Sequence, residues 1–276
     1  MAFLLRGIAL RLFMRLLLIT LSCWVPALAA AQLVRVGAYH FPPYVIKPES
    51  EEPSGVLPEL LAALNSAQDD YRFSLVPTSV TRRYRDFQQA RYDLILFESP
   101  EWGWQGIELD KLDLQIIDAE VYVARKQAGR DQSFFDSLKG KRMALYTGYH
   151  YAFADFNAEQ NYLVSHFQAS LTYSHDSNLL MLLHDRADVS VVTRSYLPIF
   201  EREYPMESQQ LLISQRADQI YRHHALLRPG APLNSRQLAS LLQLLRDGGK
   251  LPALLARYQL QGSAEGNLQQ SDPIRH

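Results

Sequence analysis

The sequence predicts an α/β fold built from two similar lobes. Strand and helix patterns alternate as β-α-β-α-β between positions 33 and 97, which is the signature of a parallel sheet with crossover helices. A second observation supports two lobes. The same pattern occurs at 90–95 and again at 186–191: the end of a helix, a short polar turn and an apolar strand that begins with Asp. The chain therefore reads as two related α/β units that follow an N-terminal leader.

The leader, residues 1–31, has the composition of a secretory signal peptide. Its only charges are three arginines, Arg6, Arg11 and Arg15. An apolar segment follows at 16–25, and small residues with Ala-x-Ala spacing predict cleavage after Ala29 or Ala31. The residues before Cys23 form a poor lipobox, so we expect no lipid anchor. The leader predicts a periplasmic protein.

Bulk properties exclude several classes of protein. The one cysteine, Cys23, lies in the leader, so the mature chain can have neither disulfides nor cysteine metal ligands. Without the leader, Lys+Arg falls from 28 to 25 against 29 Asp+Glu, a formal charge of about −4 that argues against nucleic acid. The histidines show no metal-ligand spacing, and P-loop, Gly-x-Ser-x-Gly and His-Glu-x-x-His motifs are absent. We therefore expect no metal, no cofactor and no catalytic residues.

The elements of the first lobe follow from periodicity and turn signals. Alternating or apolar runs predict strands at 33–37, 71–76 and 94–97, and helical spacing predicts helices from 56 and over 81–90. Further strands are predicted at 112–117 and 121–125.

The rest of the chain shows the same alternation. The predicted strands are 143–146, 188–192 and 225–227. The predicted helices are 134–139, 151–157, 177–184, 233–245 and 251–258, the last two separated by a double glycine.

The stretch 92–104 carries the clearest hint of a binding site. A buried-type strand ends abruptly in Glu98 and Ser99, and Trp102 and Trp104 follow. In open α/β sheets, ligands bind outside the carboxyl ends of strands. Glu98 is thus placed to meet a cation, with a tryptophan ring beside it for a cation–π contact.

Taken in order, several segments resemble the bacterial extracellular solute-binding proteins of family 3, the periplasmic receptors of polar amino-acid ABC transporters. They are 34–37 with 41–44, 55–60, 92–95, 138–144 with 147–148, 186–189, 226–229 and 244–251. The resemblance implies the two-lobed type II periplasmic-binding-protein fold with two hinge crossovers. It places lobe 1 at 32–119 plus 220–262, lobe 2 at 120–219 and a flexible tail at 263–276.

The resemblance also implies a role. Such proteins are monomers that close on a small-molecule solute in the interlobe cleft and deliver it to an ABC permease in the inner membrane. We therefore expect a non-enzymatic receptor for a small polar or cationic organic solute, similar to an amino acid.

The chain departs from the family where an α-amino acid is normally anchored. The arginine expected after the first Asp strand to clamp a carboxylate is absent from 98–105. The acid expected after the second Asp strand is replaced by Thr193 and Arg194. Arg82, with Arg83 beside it, is a candidate to replace the missing arginine.

The candidate ligand-binding residues come from the loops that follow the predicted strands. Phe41 and Tyr44 flank a diproline and suggest an aromatic wall, while Thr147 and its neighbours precede a helix whose free amides attract anions. The full set is Phe41, Tyr44, Arg82, Glu98, Ser99, Trp102, Thr147, Tyr149, His150, Thr193 and Arg194.

Two alternatives to transport remain open. A few proteins that resemble this family are periplasmic dehydratases acting on cyclohexadienyl substrates, for which Glu98 is the candidate general acid. The third hypothesis is a sensory module that docks to a membrane protein.

Overall fold

The computed structural model describes residues 30–260 and, for the backbone alone, Gln269–Gln270. The predicted signal peptide at 1–31, with Cys23, lies outside the described residues apart from its last two alanines. The predicted tail at 263–276 lies outside them apart from that backbone pair.

Three parallel strands form the first part of the sheet. β1 (Gln32–Ala38) lies between β2 (Tyr71–Pro77) and β3 (Leu94–Glu98). The connections between them contain α1 (Val56–Ala67) and α2 (Arg83–Gln88). The predicted β-α-β-α-β order is confirmed.

A long strand, β4 (Asp110–Arg125), leads out of this first part. The strands of the next part are β5 (Met143–Tyr146), β6 (Ala169–Thr172) and β7 (Val189–Thr193). The helices there are α3 (Gln160–Phe167), α4 (His175–Leu183), α5 (Leu197–Glu203) and α6 (Pro205–Ser208). Single 3₁₀ turns occupy Gln132–Phe135, Ala152–Ala154 and Arg194–Tyr196.

A second long strand, β8 (Leu211–Leu227), returns antiparallel to β4. It is followed by α7 (Ser235–Asp247) and α8 (Lys250–Arg257), and Gln269–Gln270 forms β9 against β8. The strand order is β2-β1-β3-β8-β4-β7-β5-β6. β4 and β8 therefore connect two sets of parallel strands. The proposed lobe boundaries, at 119/120 and 219/220, fall inside these two strands.

The first helix shows why the sequence folds this way locally. The apolar residues of α1 recur at helical spacing and face the core, and Pro58 lies in its first turn, where no amide donor is needed. Gly55 precedes the helix with φ +105°, and a Cβ there would lie 2.7 Å from the carbonyl oxygen of Pro43. Only glycine allows the loop after β1 to approach the helix this closely.

Several predicted elements differ from the structure. The strands predicted at 112–117 and 121–125 are one strand, β4, whose pairing with β8 shifts register between Asp113 and Ile117. β8 is seventeen residues long, although only 225–227 was predicted, because 214–224 is polar and lacks an apolar run. The helix predicted at 151–157 is only a 3₁₀ turn, and α3, α5, α6 and β6 were not predicted. Among the residues that are described, no helix is long and apolar enough to cross a membrane.

Candidate functional site

A small cavity lies where the carboxyl ends of the parallel strands meet. The loops after β1, β3 and β5 all reach it, and the long strands β4 and β8 form its floor. The free volume inside it is about 10 Å³, close to what a single water molecule needs. The lining residues are Tyr39, Phe41, Val80, Arg83, Trp102, Glu120, Gly148, Tyr149, His150 and Gln219.

The floor of the cavity is formed around one row of directly paired residues on three neighbouring strands. Glu120 on β4 pairs with Gln219 on β8 and with Thr193 on β7. Directly paired residues point to the same face of a sheet. The Thr193 hydroxyl donates to Glu120 Oε1 at 2.9 Å, which fixes the orientation of the carboxyl group.

Glu120 is the most unusual ionisable group of the cavity. Its side chain is buried, and Oε1 also accepts a hydrogen bond from the Tyr221 hydroxyl at 3.2 Å. Oε2 has no hydrogen-bond partner among residues 30–260. Burial raises the pKa of Glu120 well above its ordinary value, and the carboxylates of Asp118 and Asp218 add to the shift. The site thus contains a buried carboxyl group with one oxygen that has no hydrogen-bond donor in the described chain.

A second acid at the site, Glu98, is paired. It ends β3 fully buried, and its Oε1 lies 3.1 Å from Nε of the equally buried Arg83. Trp104 Nε1 donates to Glu98 Oε2 at 2.8 Å. Burial raises the pKa of Glu98, whereas the charge of Arg83 opposes that shift. The Arg83–Glu98 pair is therefore close to neutral as a unit.

The walls of the cavity are aromatic. The ring of Phe41 lies edge-on to Trp102 and Tyr149, with centroid distances of 6.0 and 5.8 Å. His223 packs behind this wall, 5.9 Å from Phe41, and its burial lowers its pKa to about 3. The imidazole is therefore neutral and behaves as part of an apolar wall.

One glutamine connects the two sides of the cavity. Trp102 Nε1, in the loop after β3, donates to Gln219 Oε1 at 3.1 Å. Gln219 Nε2 donates in turn to the backbone carbonyl of His150, in the loop after β5, at 2.6 Å. Because Gln219 lies on β8 between these loops, its amide holds both against the floor.

The structure brings together six of the eleven sequence-predicted site residues. Phe41, Trp102, Tyr149 and His150 line the cavity directly. Glu98 and Thr193 lie one contact away, through Arg83 and Glu120 respectively.

The other five occupy different surroundings. Arg82 is exposed and bonds Ser79, whereas its neighbour Arg83 points into the site. Tyr44 is buried and donates to Asp118 Oδ2 at 2.7 Å.

The remaining three predicted residues are Ser99, Thr147 and Arg194. Ser99 lines a separate open groove of about 580 Å³. Thr147 is buried and continues the pairing of β5 with β6 through its amide. Arg194 begins the 3₁₀ turn after β7, partly exposed.

Sequence reasoning missed Glu120 and Gln219. A signal for the first was present, because Asp118 and Glu120 alternate immediately before the apolar run 121–124 and therefore share one face of a strand. Gln219 had no such signal, since it lies in a polar segment that does not read as a strand. In the described part of the chain, no group of three or more His, Cys, Asp or Glu side chains is placed to hold a metal ion.

Comparison with known proteins identifies the class of fold. No family model and no curated protein sequence matches the chain. Among solved structures, a substrate-binding protein of an amino-acid ABC transporter superposes with a TM-score of 0.62 at 15% identity, covering 82% of this chain and 98% of the other. An ancestral arginine-binding protein bound to arginine gives 0.63 at 16%, covering 83% and 99%.

A third similar structure is connected with an enzyme. It is an ancestral amino-acid-binding protein described as a precursor of cyclohexadienyl dehydratase, with a TM-score of 0.61 at 15% identity, covering 82% and 94%. At this level of identity the likeness shows the fold alone. The chain has the two-lobed α/β fold of periplasmic binding proteins, as the sequence predicts.

Proposed function

We propose that the protein is a periplasmic solute-binding protein that captures a small polar or cationic organic solute between lobes 32–119 plus 220–262 and 120–219. One observation carries the proposal. The cavity at the strand ends contains a buried carboxyl oxygen, Glu120 Oε2, without a partner among the described residues. An unpaired buried acceptor is costly to leave alone and gains from a ligand that donates to it.

The surrounding groups suit capture of a small molecule. The aromatic walls exclude water and offer ring faces, and loops from both sides of the cavity meet over the Glu120 row. Delivery to an ABC permease, export by the leader and a monomeric state belong to the same proposal. They rest on the sequence resemblance and on the fold.

A thermal-shift screen tests the capture function. The full-length protein is unfolded and refolded to remove carried-over solute, then heated with single amino acids, amines, sugars and organic acids. We expect at least one amine or amino acid to raise the melting temperature, because a ligand that binds only the folded state stabilises it. If every compound leaves the melting temperature unchanged, the proposal fails.

A dehydratase-like activity is the second candidate, and Glu120 favours it. A carboxyl group kept protonated by burial in a cavity can donate its proton to a leaving hydroxyl, which departs as water. Glu98, the candidate predicted from sequence, is held in an ion pair instead. Product formation from cyclohexadienyl acids that is lost in Glu120→Gln would establish the enzyme. Unreacted but bound acid would exclude it.

A further inference from the structure

The charges around the cavity do not match those of an α-amino acid. A zwitterion needs one free cation for its carboxylate and one free anion for its ammonium group. Among the lining residues, Arg83 is the cation, and Glu98 already balances its charge at 3.1 Å. His150 adds no positive charge, because burial and the nearby Arg83 lower its pKa to about 3.

Arg83 is also held in place by neutral partners. Its Nη1 donates to the carbonyl of Val80, and its Nη2 lies 3.5 Å from the carbonyl of Trp102. Its guanidinium carbon lies 4.4 Å from the ring centre of Tyr84 and 5.1 Å from that of Tyr39. Its Nε lies at ion-pair distance from Glu98 Oε1 but makes no hydrogen bond to it, so charge alone joins these two atoms. A solute carboxylate would have to displace Glu98, which has no other cation within ion-pair distance among residues 30–260.

The cavity does contain an acid that can pair with a cation. Glu120 Oε2 faces the cavity without a partner in the described chain, and so does the hydroxyl of Tyr149. Both atoms accept hydrogen bonds. Burial favours the neutral form of the Glu120 carboxyl, and an entering ammonium group supplies the opposite charge that favours the carboxylate.

From this arrangement we infer that the cavity selects a small primary amine that carries no carboxylate, with its ammonium group donating to Glu120 Oε2. The inference rests on the proposed capture function and narrows its ligand class. An ammonium that retains N–H groups is favoured over a quaternary one, because only N–H can satisfy the unpaired oxygens. The aromatic walls then receive the apolar body of the amine.

Titration calorimetry with matched pairs tests the inference on the full-length protein. The probes are isobutylamine against valine, tyramine against tyrosine, agmatine against arginine, and ethanolamine against choline. In the pair that binds, we expect the carboxylate-free primary amine to bind at least about tenfold more tightly. Glu120→Gln should weaken that amine by at least about tenfold, because it removes the charge but keeps the shape.

Two further variants isolate the effect. Glu101→Gln removes an exposed acid near the cavity that does not line it, and should leave amine affinity unchanged. Thr193→Val removes only the hydroxyl that orients Glu120, and should produce a smaller loss than Glu120→Gln.

Any of the following outcomes would overturn the inference. An amino acid that binds more tightly than its amine shows that Arg83 leaves Glu98 for a carboxylate, and capture still stands. Choline that equals ethanolamine, or an amine affinity that survives Glu120→Gln, removes the role of the unpaired oxygen. If only compounds without an amine bind, the ligand class is wrong while the capture function remains. A chain that binds nothing in either screen refutes both.

Discussion

Glu120, the proposed ligand-binding acid, lowers the stability of the fold at neutral pH. In the unfolded chain a glutamate titrates near its ordinary pKa of about 4.3. In the folded protein burial raises the pKa of Glu120, with Asp118 and Asp218 adding to the shift and Thr193 and Tyr221 opposing it. The unfolded state is therefore more ionised at neutral pH, so this group makes folding less favourable as pH rises.

Glu120→Gln should consequently raise the melting temperature of the ligand-free protein at pH 8. The amide oxygen retains the hydrogen bonds from Thr193 and Tyr221, and the buried charge is gone. The gain should shrink towards pH 4, where the carboxyl is protonated in both states. Scanning calorimetry at pH 4, 6 and 8 measures it, with the exposed Glu101→Gln as control.

A Glu120→Gln protein that melts lower than the parent at every pH would contradict this account. That result would mean that the ionised carboxylate is stabilised by its surroundings. It would also remove the reason to expect a cationic partner.

Single residues also show the limit of sequence reasoning. The arginine pair 82–83 was a candidate from sequence, but a helix turn places adjacent side chains about 100° apart, and only Arg83 faces inward. Local pattern does not reveal which of two neighbours is buried. That choice depends on Glu98 and the rings of Tyr39 and Tyr84, which come from distant parts of the chain.

At the scale of elements, β8 supplies the side chain that links the two sides of the cavity. Gln219 accepts from Trp102 and donates to the carbonyl of His150, so one side chain restrains two loops. Gln219 lies on a strand and not in either loop. Removing its side chain should therefore shorten the time for which the cavity stays closed, with a smaller effect on folding.

Gln219→Leu should speed release of the captured solute by about thirtyfold, because it removes two hydrogen bonds of about 1 kcal/mol each and leaves their partners unsatisfied. Surface plasmon resonance measures the dissociation rate. Gln215→Leu, an exposed glutamine on the same strand, should release the solute at the parental rate. Equal rates in the two variants would show that Gln219 does not hold the loops.

The elements that pattern predicts best are those whose core face is regular. β1, β3, α1 and α7 have apolar runs or helical stripes, and their predicted positions agree with the structure to within a few residues. Most of β8, from 211 to 224, escaped prediction because its polar middle pairs with β4 and lines cavities rather than a core. The part of the chain that forms the floor of the site is thus the part with the weakest strand signal.

Across the whole molecule, the two sides of the cavity touch at glycines. A Cβ on Gly148 would lie 3.0 Å from Val80 Cγ1 and 3.3 Å from Thr81 Cγ2. A Cβ on Gly103 would lie 3.0 Å from His150 Nε2. The backbone therefore approaches the opposite side so closely that a Cβ at either glycine would require its neighbours to shift by a few tenths of an ångström.

Gly148→Ala tests whether this approach is required for capture. Both Gly148 (φ +79°) and Gly140 (φ +75°) are in the left-handed region, but a Cβ on Gly140 meets nothing within 4 Å. Both alanine variants should lose about 1 kcal/mol of stability from backbone strain. Only Gly148→Ala should also weaken solute binding, by about fivefold or more, in calorimetric titrations.

Equal affinities in the two glycine variants would show that the captured state does not need the contact with Val80. Gly140 serves as a matched control because it shares the backbone conformation of Gly148 without its neighbours. The comparison therefore separates closure of the cavity from local strain.

The position of the tryptophans gives the protein a built-in optical signal. Of the chain's three tryptophans, Trp24 lies in the predicted leader, and the proposed cleavage of that leader would leave Trp102 and Trp104. Both indoles lie at the site, one bonded to Gln219 and the other to Glu98. The emission of these two tryptophans therefore comes from the surroundings of the cavity, and a solute that enters beside Trp102 changes its spectrum without any added label.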